Sequence, residues 1–570
     1  MISRIVNFAL HQKLFVWLGL IIFVAGGLAA FKNLPIEAFP DVSDIQVNVI
    51  TLYPGRAAEE VERQVTIPIE TALAGTPNSV RVFSHTQFGL SFMMVTFNDK
   101  ATDIVARQQI IERLRSVDLP DGVQPELAPL STAIGEIYRF RLSGKGYTPQ
   151  ELRTLQDWVV EKNLRQVPGV ADVVTIGGSI KQYEVNPNLG RMRDSKISLS
   201  QLFTALQRGN SNAGGGSVAH GRQQYLLRSL GSFRSSADIA NVVVAENNGT
   251  PILVKDIAEV KIGAAPPQGL MGQDDEDDIV SGIVVMRKGE NPSIVLEALK
   301  KKIELLDDQI LPKGVKLVPY YDRSTLIDKT LHTVFGNLVE GALLVMAVLY
   351  LFLANVRAAA IVALVIPLAL LSTFIGLTWV GIPANLLSLG AMDFGIIVDG
   401  AVIVVENIFK RLGELKEQQI KDNKARMHAI LQATTEVGRP TVFSMIIIIA
   451  AHIPIFTLQR HEGKIFAPMA YTVTGALVGS LIVSLTVVPL LCHLLLKKNI
   501  AHEDNFVVRQ CKRLYEPMLA WALENKKKVV AIAVGLLVAT VGVGKFLGSE
   551  FLPELDEGSM WVSFDLPASV

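Results

Sequence analysis

The sequence predicts an α+β membrane protein, a transmembrane helical bundle that carries a large external region of ferredoxin-like (split βαβ) subdomains. Three observations predict it. Mean hydropathy is +0.35 with 49% apolar and 19% charged residues, too apolar for an ordinary soluble enzyme. Seven stretches match the roughly 20 apolar residues a spanning helix needs. Between the first and second of them, Lys32–Val334 is polar and alternates strand-like and helix-like patterns.

The seven stretches are Leu14–Phe31, Gly336–Leu353, Ala358–Val380, Leu386–Ile408, Thr441–Leu458, Ala470–Leu496 and Val529–Phe546. The first is longer than the apolar region of a signal peptide and reads as a retained anchor. Phe409–Arg439 carries seven Lys or Arg and Lys497–Lys528 carries eight, against none in Gly381–Ala384 and two in Gln459–Lys464. Basic loops stay cytoplasmic, which puts the N-terminus inside and Lys32–Val334 outside. With 54 basic and 54 acidic residues the chain lacks the basic surplus of a nucleic-acid binder. Its two cysteines, Cys492 and Cys511, make no disulfide framework.

Within the external region, Ile45–Leu52 reads as a strand, Ala57–Ala74 as a helix, Val80–His85 and Ser91–Asn98 as paired strands, and Thr102–Val117 as a second helix. That order is the start of a split βαβ unit. It recurs with strand Glu136–Leu142, helix Pro149–Gln166, strands Val170–Ile176 and Ile180–Val185, then, after a glycine-rich stretch, strand Ile279–Arg287, helix Pro292–Asp307 and strand Val315–Tyr320. The simplest reading is a second unit interrupted by an insertion near Asn186–Glu276. Asp274–Asp278 is a run of five carboxylates that self-repulsion marks as a solvated loop rather than a hard-cation site.

A longer repeat frames these elements. Glu37 and Pro40 are followed by Pro54, and Glu550 and Pro553 by Pro567, at a constant offset of 513 and each just past a span. The sequence therefore reads as the first half of a duplicated transporter that runs a short way into its second half.

Chemistry concentrates in the fourth stretch, which holds Asp393, Asp399 and Glu406. An ionised Asp at a helix centre in hydrocarbon costs about 3 kcal/mol on insertion scales. Asp399 and Glu406 are seven residues apart, on one helix face and about 10 Å apart along the axis. Desolvation favours the protonated acid, so such a group can load a proton on one side and release it on the other. Gly395 and Gly400 flank Asp399 and permit close helix contact. No phosphate loop, His-Glu-x-x-His or Cys-x-x-Cys motif occurs, so neither an ATP engine nor a zinc signature is visible. His452 and His493 read as structural groups.

Lys32–Leu73, with Leu-Pro-Ile-Glu-Ala-Phe-Pro-Asp and Tyr-Pro-Gly-Arg-Ala-Ala-Glu-Glu-Val-Glu, resembles the resistance–nodulation–division exporters. The run from Asp393 to Glu406 and the segment Asp274–Pro292 are similar to their heavy-metal efflux branch, in particular the cobalt–zinc–cadmium pumps. The resemblance implies a proton-driven cation antiporter, not an enzyme and without a resident cofactor. It implies a homotrimer in the bacterial inner membrane, among its lipids, with a periplasmic adaptor and an outer-membrane channel as partners. Asp393, Asp399 and Glu406 would form the proton relay. Glu136, at the junction of the two external units, is the one candidate metal ligand. The implied domains are 1–31 (cytoplasmic N-terminus and first span), 32–134 (first porter subdomain), 135–185 with 277–333 (second porter subdomain) and 186–276 (docking insertion). After them come 334–500 (spans two to six), 501–528 (cytoplasmic amphipathic segment), 529–547 (span seven) and 548–570 (start of the second periplasmic repeat).

Soft thioether ligands select Cu(I), whereas carboxylate and imidazole suit zinc and cobalt. Methionines are few in the spans (Met346, Met392 and Met445, with Met469 at an edge) and read as core filler, which favours a divalent ion over copper or silver. A drug or hydrophobe exporter of the same superfamily predicts aromatic-rich external clefts, and the external region is poor in Trp and Phe. A protein-export or lipid-handling relative would show no metal sensitivity on deletion. A membrane sensor would not need three acids in one span.

Residues 1–570 expressed alone are expected to insert without transporting zinc and to aggregate in detergent, because uncovered strand edges invite aberrant pairing. A monodisperse product with zinc flux would overturn the duplication reading.

Overall fold

A computed structural model describes residues 2–548, apart from 38–39, 133, 248, 267–268, 391, 393, 416–421 and 497–505, together with Val562. It is a mixed α/β molecule of apolar helices and β-sheet subdomains. Two compact units divide it: Met1–Ala128, Asn291–Ser293 and Arg323–Val570 form one, and Pro129–Glu290 with Ile294–Asp322 the other.

Among the described residues seven helices are long and apolar enough to cross a membrane. They run over Lys13–Asn33, Arg323–Leu353, Val356–Val380, Leu386–Gly413, Asn423–Phe456, Arg460–Leu495 and Lys526–Gly544. The second, fifth and sixth begin ten or more residues before their apolar stretches. Hydropathy marks only the part suited to lipid, whereas the hydrogen-bonded ladder continues until a cap or breaker stops it. Asp422 caps the fifth by accepting from the Lys424 amide at 2.9 Å. Asn355 caps the third, accepting from Arg357 and Ala358 amides at 3.0 and 3.1 Å.

The third, fourth and sixth helices form the centre of the bundle, with 61%, 56% and 72% of their apolar windows buried, against 0% for the seventh. Thr373 of the third donates to the Thr472 carbonyl of the sixth at 3.2 Å. A feature the sequence reading missed precedes the first span: Ile2–His11 is a separate helix whose Val6 and Leu10 enter the bundle core.

After the first span come β1 (Ile36–Glu37), then β2 (Ile45–Leu52), β3 (Ser79–Gln87), β4 (Leu90–Phe97) and β5 (Pro125–Leu127). The last four form one antiparallel sheet in the order β3-β4-β2-β5. Alternation along β2 buries Val47 and Val49, which meet Val61, Val65, Ile69 and Leu73 of the helical run 58–73 and Ala106, Ile110 and Leu114 of the helix Asp103–Leu114. Thr102 caps that second helix.

In the other unit β6 (Glu136–Gly144), β7 (Val170–Ile176), β8 (Lys181–Pro187), β9 (Ala213–His220), β10 (Gln223–Ser229), β11 (Val243–Asn247), β12 (Thr250–Leu253), β13 (Ala258–Ala264), β14 (Val280–Met286) and β15 (Val315–Asp322) follow. The main sheet has the order β15-β6-β14-β7. It closes tightly at Gly282, where a Cβ would lie 2.3 Å from the Phe140 ring. β8 leaves this sheet and pairs with β13 in full register from Lys181↔Ala264 to Pro187↔Ala258. The sequence reading named Ile180–Val185 as a strand of the second unit without giving it a partner. β8 clasps the far end of the inserted segment, where its antiparallel partner lies. The hairpin β9–β10 within the insertion is exposed along its whole length.

The carboxylate run Asp274–Asp278 is partly pinned. Glu276 pairs with Arg141 at 2.8 Å, and Asp278 accepts from the Gly178 amide at 2.9 Å. Asp274, Asp275 and Asp277 are exposed, as self-repulsion requires.

In the first unit a strap, residues 36–37 and 40–44 among those described, lies between the first span and β2. Its inner end forms a two-residue parallel bridge with β16 (Ala384–Asn385), the connection between the third and fourth spans. Its outer end is tied to the start of the sixth helix. Lys464 donates to the Ser43 carbonyl at 2.6 Å and His461 Nδ1 to the Val42 carbonyl at 2.9 Å, while the Arg460 amide donates to Asp99, just after β4, at 3.1 Å.

Candidate functional site

The fourth span is built from a short helix, Leu386–Gly390, and a long one, Phe394–Gly413. Ser388 and Asn385 cap the short helix reciprocally, with bonds of 2.7 and 3.0 Å. In the long helix the positions that pack are Ile397, Val398, Gly400, Ala401, Val404, Val405, Ile408 and Leu412, a continuous stripe at helical spacing.

Asp399 and Glu406 lie on the opposite, exposed side of that helix. They share a face, as their spacing predicts, but the face is not buried within this bundle. The apolar stripe packs against the fifth and sixth helices, and the acids on the other side stay exposed. Asp393 lies outside the described residues.

The packed side is stitched by polar contacts. Ser480 of the sixth helix donates to the Ile397 carbonyl. Asn407 donates to the Ala433 carbonyl at 2.8 Å, and Arg411 pairs with Glu436 of the fifth helix at 3.0 Å. Sequence reading passed over Asn407, Arg411 and Glu436. The signal was available, since Asn407 and Arg411 are four positions apart and so share one side of the helix, where polar groups call for partners.

Close approach is set by Gly400. A Cβ there would sit 2.4 Å from Met445 Cε and 3.2 Å from Thr441 Cγ2 of the fifth helix. Met445 is 3% exposed and Met392 6%, and Met346 packs against the main core cluster, so these thioethers fill space. Met469 is half-buried. His493 is buried, and His452 Nδ1 donates to the Ile448 carbonyl at 2.8 Å.

Glu136 opens β6 in the other unit. Its carboxylate pairs with Arg139, whose guanidinium also stacks on Tyr321 at 5.2 Å. The register adds a residue that sequence reading missed. Val285 of β14 faces Glu136 on one side and Asp172 of β7 on the other. Cross-strand partners project from the same face, so the two carboxylates flank Val285 with Cα atoms about 10 Å apart. Asp172 pairs with Arg165, which also holds Glu161 at 3.1 Å; burial pushes the Glu161 carboxyl up. Among the described residues no three His, Cys, Asp or Glu side chains gather closely enough to hold a metal ion.

The AcrB/AcrD/AcrF family model matches residues 5–570. The chain is 41% identical over 573 aligned residues to the cation efflux system protein CzcA of Alcaligenes sp. (strain CT14), covering 98% of this chain and 54% of that protein. It is 40% identical to the cobalt-zinc-cadmium resistance protein CzcA of Cupriavidus metallidurans and 36% identical to the cation efflux system protein CusA of Escherichia coli K12, at the same coverage of each. The crystal structure of a heavy metal efflux pump (crystal form II) superposes with a TM-score of 0.86 at 41% identity, over 97% of this chain and 53% of that one. The chain thus spans about half the length of the curated relatives it matches.

The Gly400 contact yields a measurable consequence. Gly400→Val overpacks the fourth and fifth helices and is expected to cost about 1–3 kcal/mol. Adding Met445→Ala should recover part of that loss. Thermal melts in lipid nanodiscs check both, and an unshifted Gly400→Val melt would show that the helices do not meet there.

Proposed function

The chain belongs to the AcrB/AcrD/AcrF family, and from that premise we propose that it forms the N-terminal part of a proton-driven exporter of heavy-metal cations in a bacterial inner membrane. The resemblance to the resistance–nodulation–division exporters and their heavy-metal branch is borne out by the family match and by the relatives' names. One observation carries the mechanism. Asp399 and Glu406 stand in line on the open face of a span whose other face is locked into the bundle.

A carboxylate on such a face meets lipid unless a polar partner covers it, and lipid contact by an ionised acid is costly. A second set of helices seated there would bury the acids and raise their proton affinity. Asp399 then binds a proton from the outer side and releases it inside when the covering surface shifts. Glu406, one heptad nearer the cytoplasm, hands it on, and Asp393 receives it first. No resident cofactor is required.

The cargo proposed is a divalent cation, zinc, cobalt or cadmium. The packing role of Met346, Met392 and Met445 supports this over copper or silver. Relatives named for both metal classes exist, and the CusA likeness at 36% keeps the monovalent exporter as the second reading. The drug or hydrophobe exporter has no such support. Glu136 is proposed as one ligand of the external metal path, with Asp172 across Val285 as its neighbour. Each carboxylate now neutralises an arginine, so metal entry would displace Arg139 and Arg165.

The external region is read as two split βαβ porter units, a view supported by the strand orders β3-β4-β2-β5 and β15-β6-β14-β7. The exposed β9–β10 hairpin in the 186–276 insertion suits docking to an outer-membrane channel. A homotrimer and a periplasmic adaptor complete the proposed assembly.

In the intact transporter, Asp399→Asn keeps side-chain size and removes the titratable group. Zinc flux in proteoliposomes under a pH gradient is expected to collapse while assembly persists, with Glu406→Gln milder. Wild-type flux in Asp399→Asn would refute the relay.

Deleting the gene should sensitise cells to zinc, cobalt or cadmium more than to silver or copper. A dominant silver phenotype would overturn the choice of a divalent cargo.

A further inference from the structure

Glu37 lies just beyond the first span, in the bridge that joins β1 to β16. That bridge pairs Ile36 with Ala384 and Glu37 with Asn385. Asn385 is fully buried, and its backbone and Oδ1 are used in capping the short helix that begins the fourth span. Its Nδ2 is buried with no hydrogen-bond partner, and so is Oε2 of Glu37 on the paired residue. An unmet donor and an unmet acceptor therefore sit at matched positions on adjacent strands. Buried polar atoms without partners are uncommon and mark places where protonation or solvent changes the bonding.

The charged groups that act on Glu37 come from two elements. Arg323, 3% exposed, is the first residue of the second-span helix and attracts the carboxylate; Asp41, farther along the strap, repels it. β16 contributes the amide of Asn385 and no charge. Burial pushes the Glu37 carboxyl up to about 7, against the pull of Arg323 and with the push of Asp41. A carboxyl in that range changes its proton occupancy near neutral external pH, which an exposed glutamate does not.

We infer that Glu37 is a proton-binding residue of the transport cycle, placed where the first, second and fourth spans meet the strap. Ionised, Glu37 holds Arg323 and so ties the second-span helix to the β1–β16 bridge. Protonated by external water, it keeps no charge for Arg323, which leaves the strap held to the outer end of the fourth span by the β1–β16 backbone pairing alone. The proton thus selects which helix the strap follows. This inference rests on the proton-driven reading above and adds to it a further titrating group, remote in sequence from the three acids of the fourth span.

The test uses the intact transporter in liposomes, with Glu37→Gln as the permanently neutral form and Glu37→Asp as the form that still titrates. Infrared spectra over a pH series should show a protonated-carboxyl band lost as pH rises through about 7 in wild type, absent in Glu37→Gln and present again in Glu37→Asp. In parallel, one site titrating at about 7 changes occupancy about tenfold between about pH 6 and about pH 8. Zinc flux at a fixed gradient should follow that change in wild type and flatten to under about twofold in Glu37→Gln. An identical infrared titration in wild type and Glu37→Gln, or an identical flux profile, would overturn the inference. If wild type shows no gradient-driven flux, the transport reading fails, while the infrared series still decides whether Glu37 binds the proton. Should Glu37→Gln fail to fold, Glu37→Asp decides through a displaced titration, and an unmoved one overturns the inference.

Discussion

Everything in the membrane half depends on how one helix divides its surface. Between Phe394 and Gly413 an apolar stripe is packed against the fifth and sixth helices while Asp399 and Glu406 keep to the other side. The division is forced by desolvation. Carboxylates placed on the stripe would have to be buried among Val404, Val405 and Ile408, apolar side chains that offer them neither charge nor hydrogen bond. Gly400 then lets the stripe come close enough to Met445 and Thr441 to be tightly packed. Tight packing on one side fixes the orientation of the helix and with it the direction in which Asp399 and Glu406 face.

Much of this was legible in the chain itself. The seven spans follow from apolar length, and Asp399 and Glu406 on one face follow from a seven-residue spacing in a 3.6-residue helix. Strands β2, β4 and β14 follow from their alternation or apolar runs and their turn-rich flanks. What sequence could not give were contacts between distant segments. The pairing of β8 with β13 across more than seventy residues has no local signature, because strand pairing is set by tertiary geometry. Whether Asp399 is buried was equally out of reach, since burial belongs to neighbours and not to the residue. The early starts of the second, fifth and sixth helices were missed because hydropathy reports the lipid-facing part alone.

The external sheets show how a repeated element order tolerates interruption. β7 and β14 are neighbours although the whole inserted segment lies between them in sequence. β8 and β13 close the base of that insertion by seven paired positions, so its ends are held together and its free arms, β9 and β10 among them, impose little on the sheet beneath. The cost of closing so long a loop grows only slowly with its length, which is why an insertion of this size can be accepted without loss of the sheet.

The sixth helix has a mechanical consequence. It runs through 36 residues without a break, about 54 Å at 1.5 Å per residue. Its outer end is anchored to the strap by Lys464 and His461. A rod of that length converts rotation into travel: a tilt of about 5° about its C-terminal end carries the anchored end about 5 Å sideways. Pro468 and Pro489 each withhold one backbone hydrogen bond from this continuous helix, one close to the anchor and one near its C-terminal end. Angular shifts small enough for interlocked side chains to absorb thus arrive at the strap as translations about as long as a side chain.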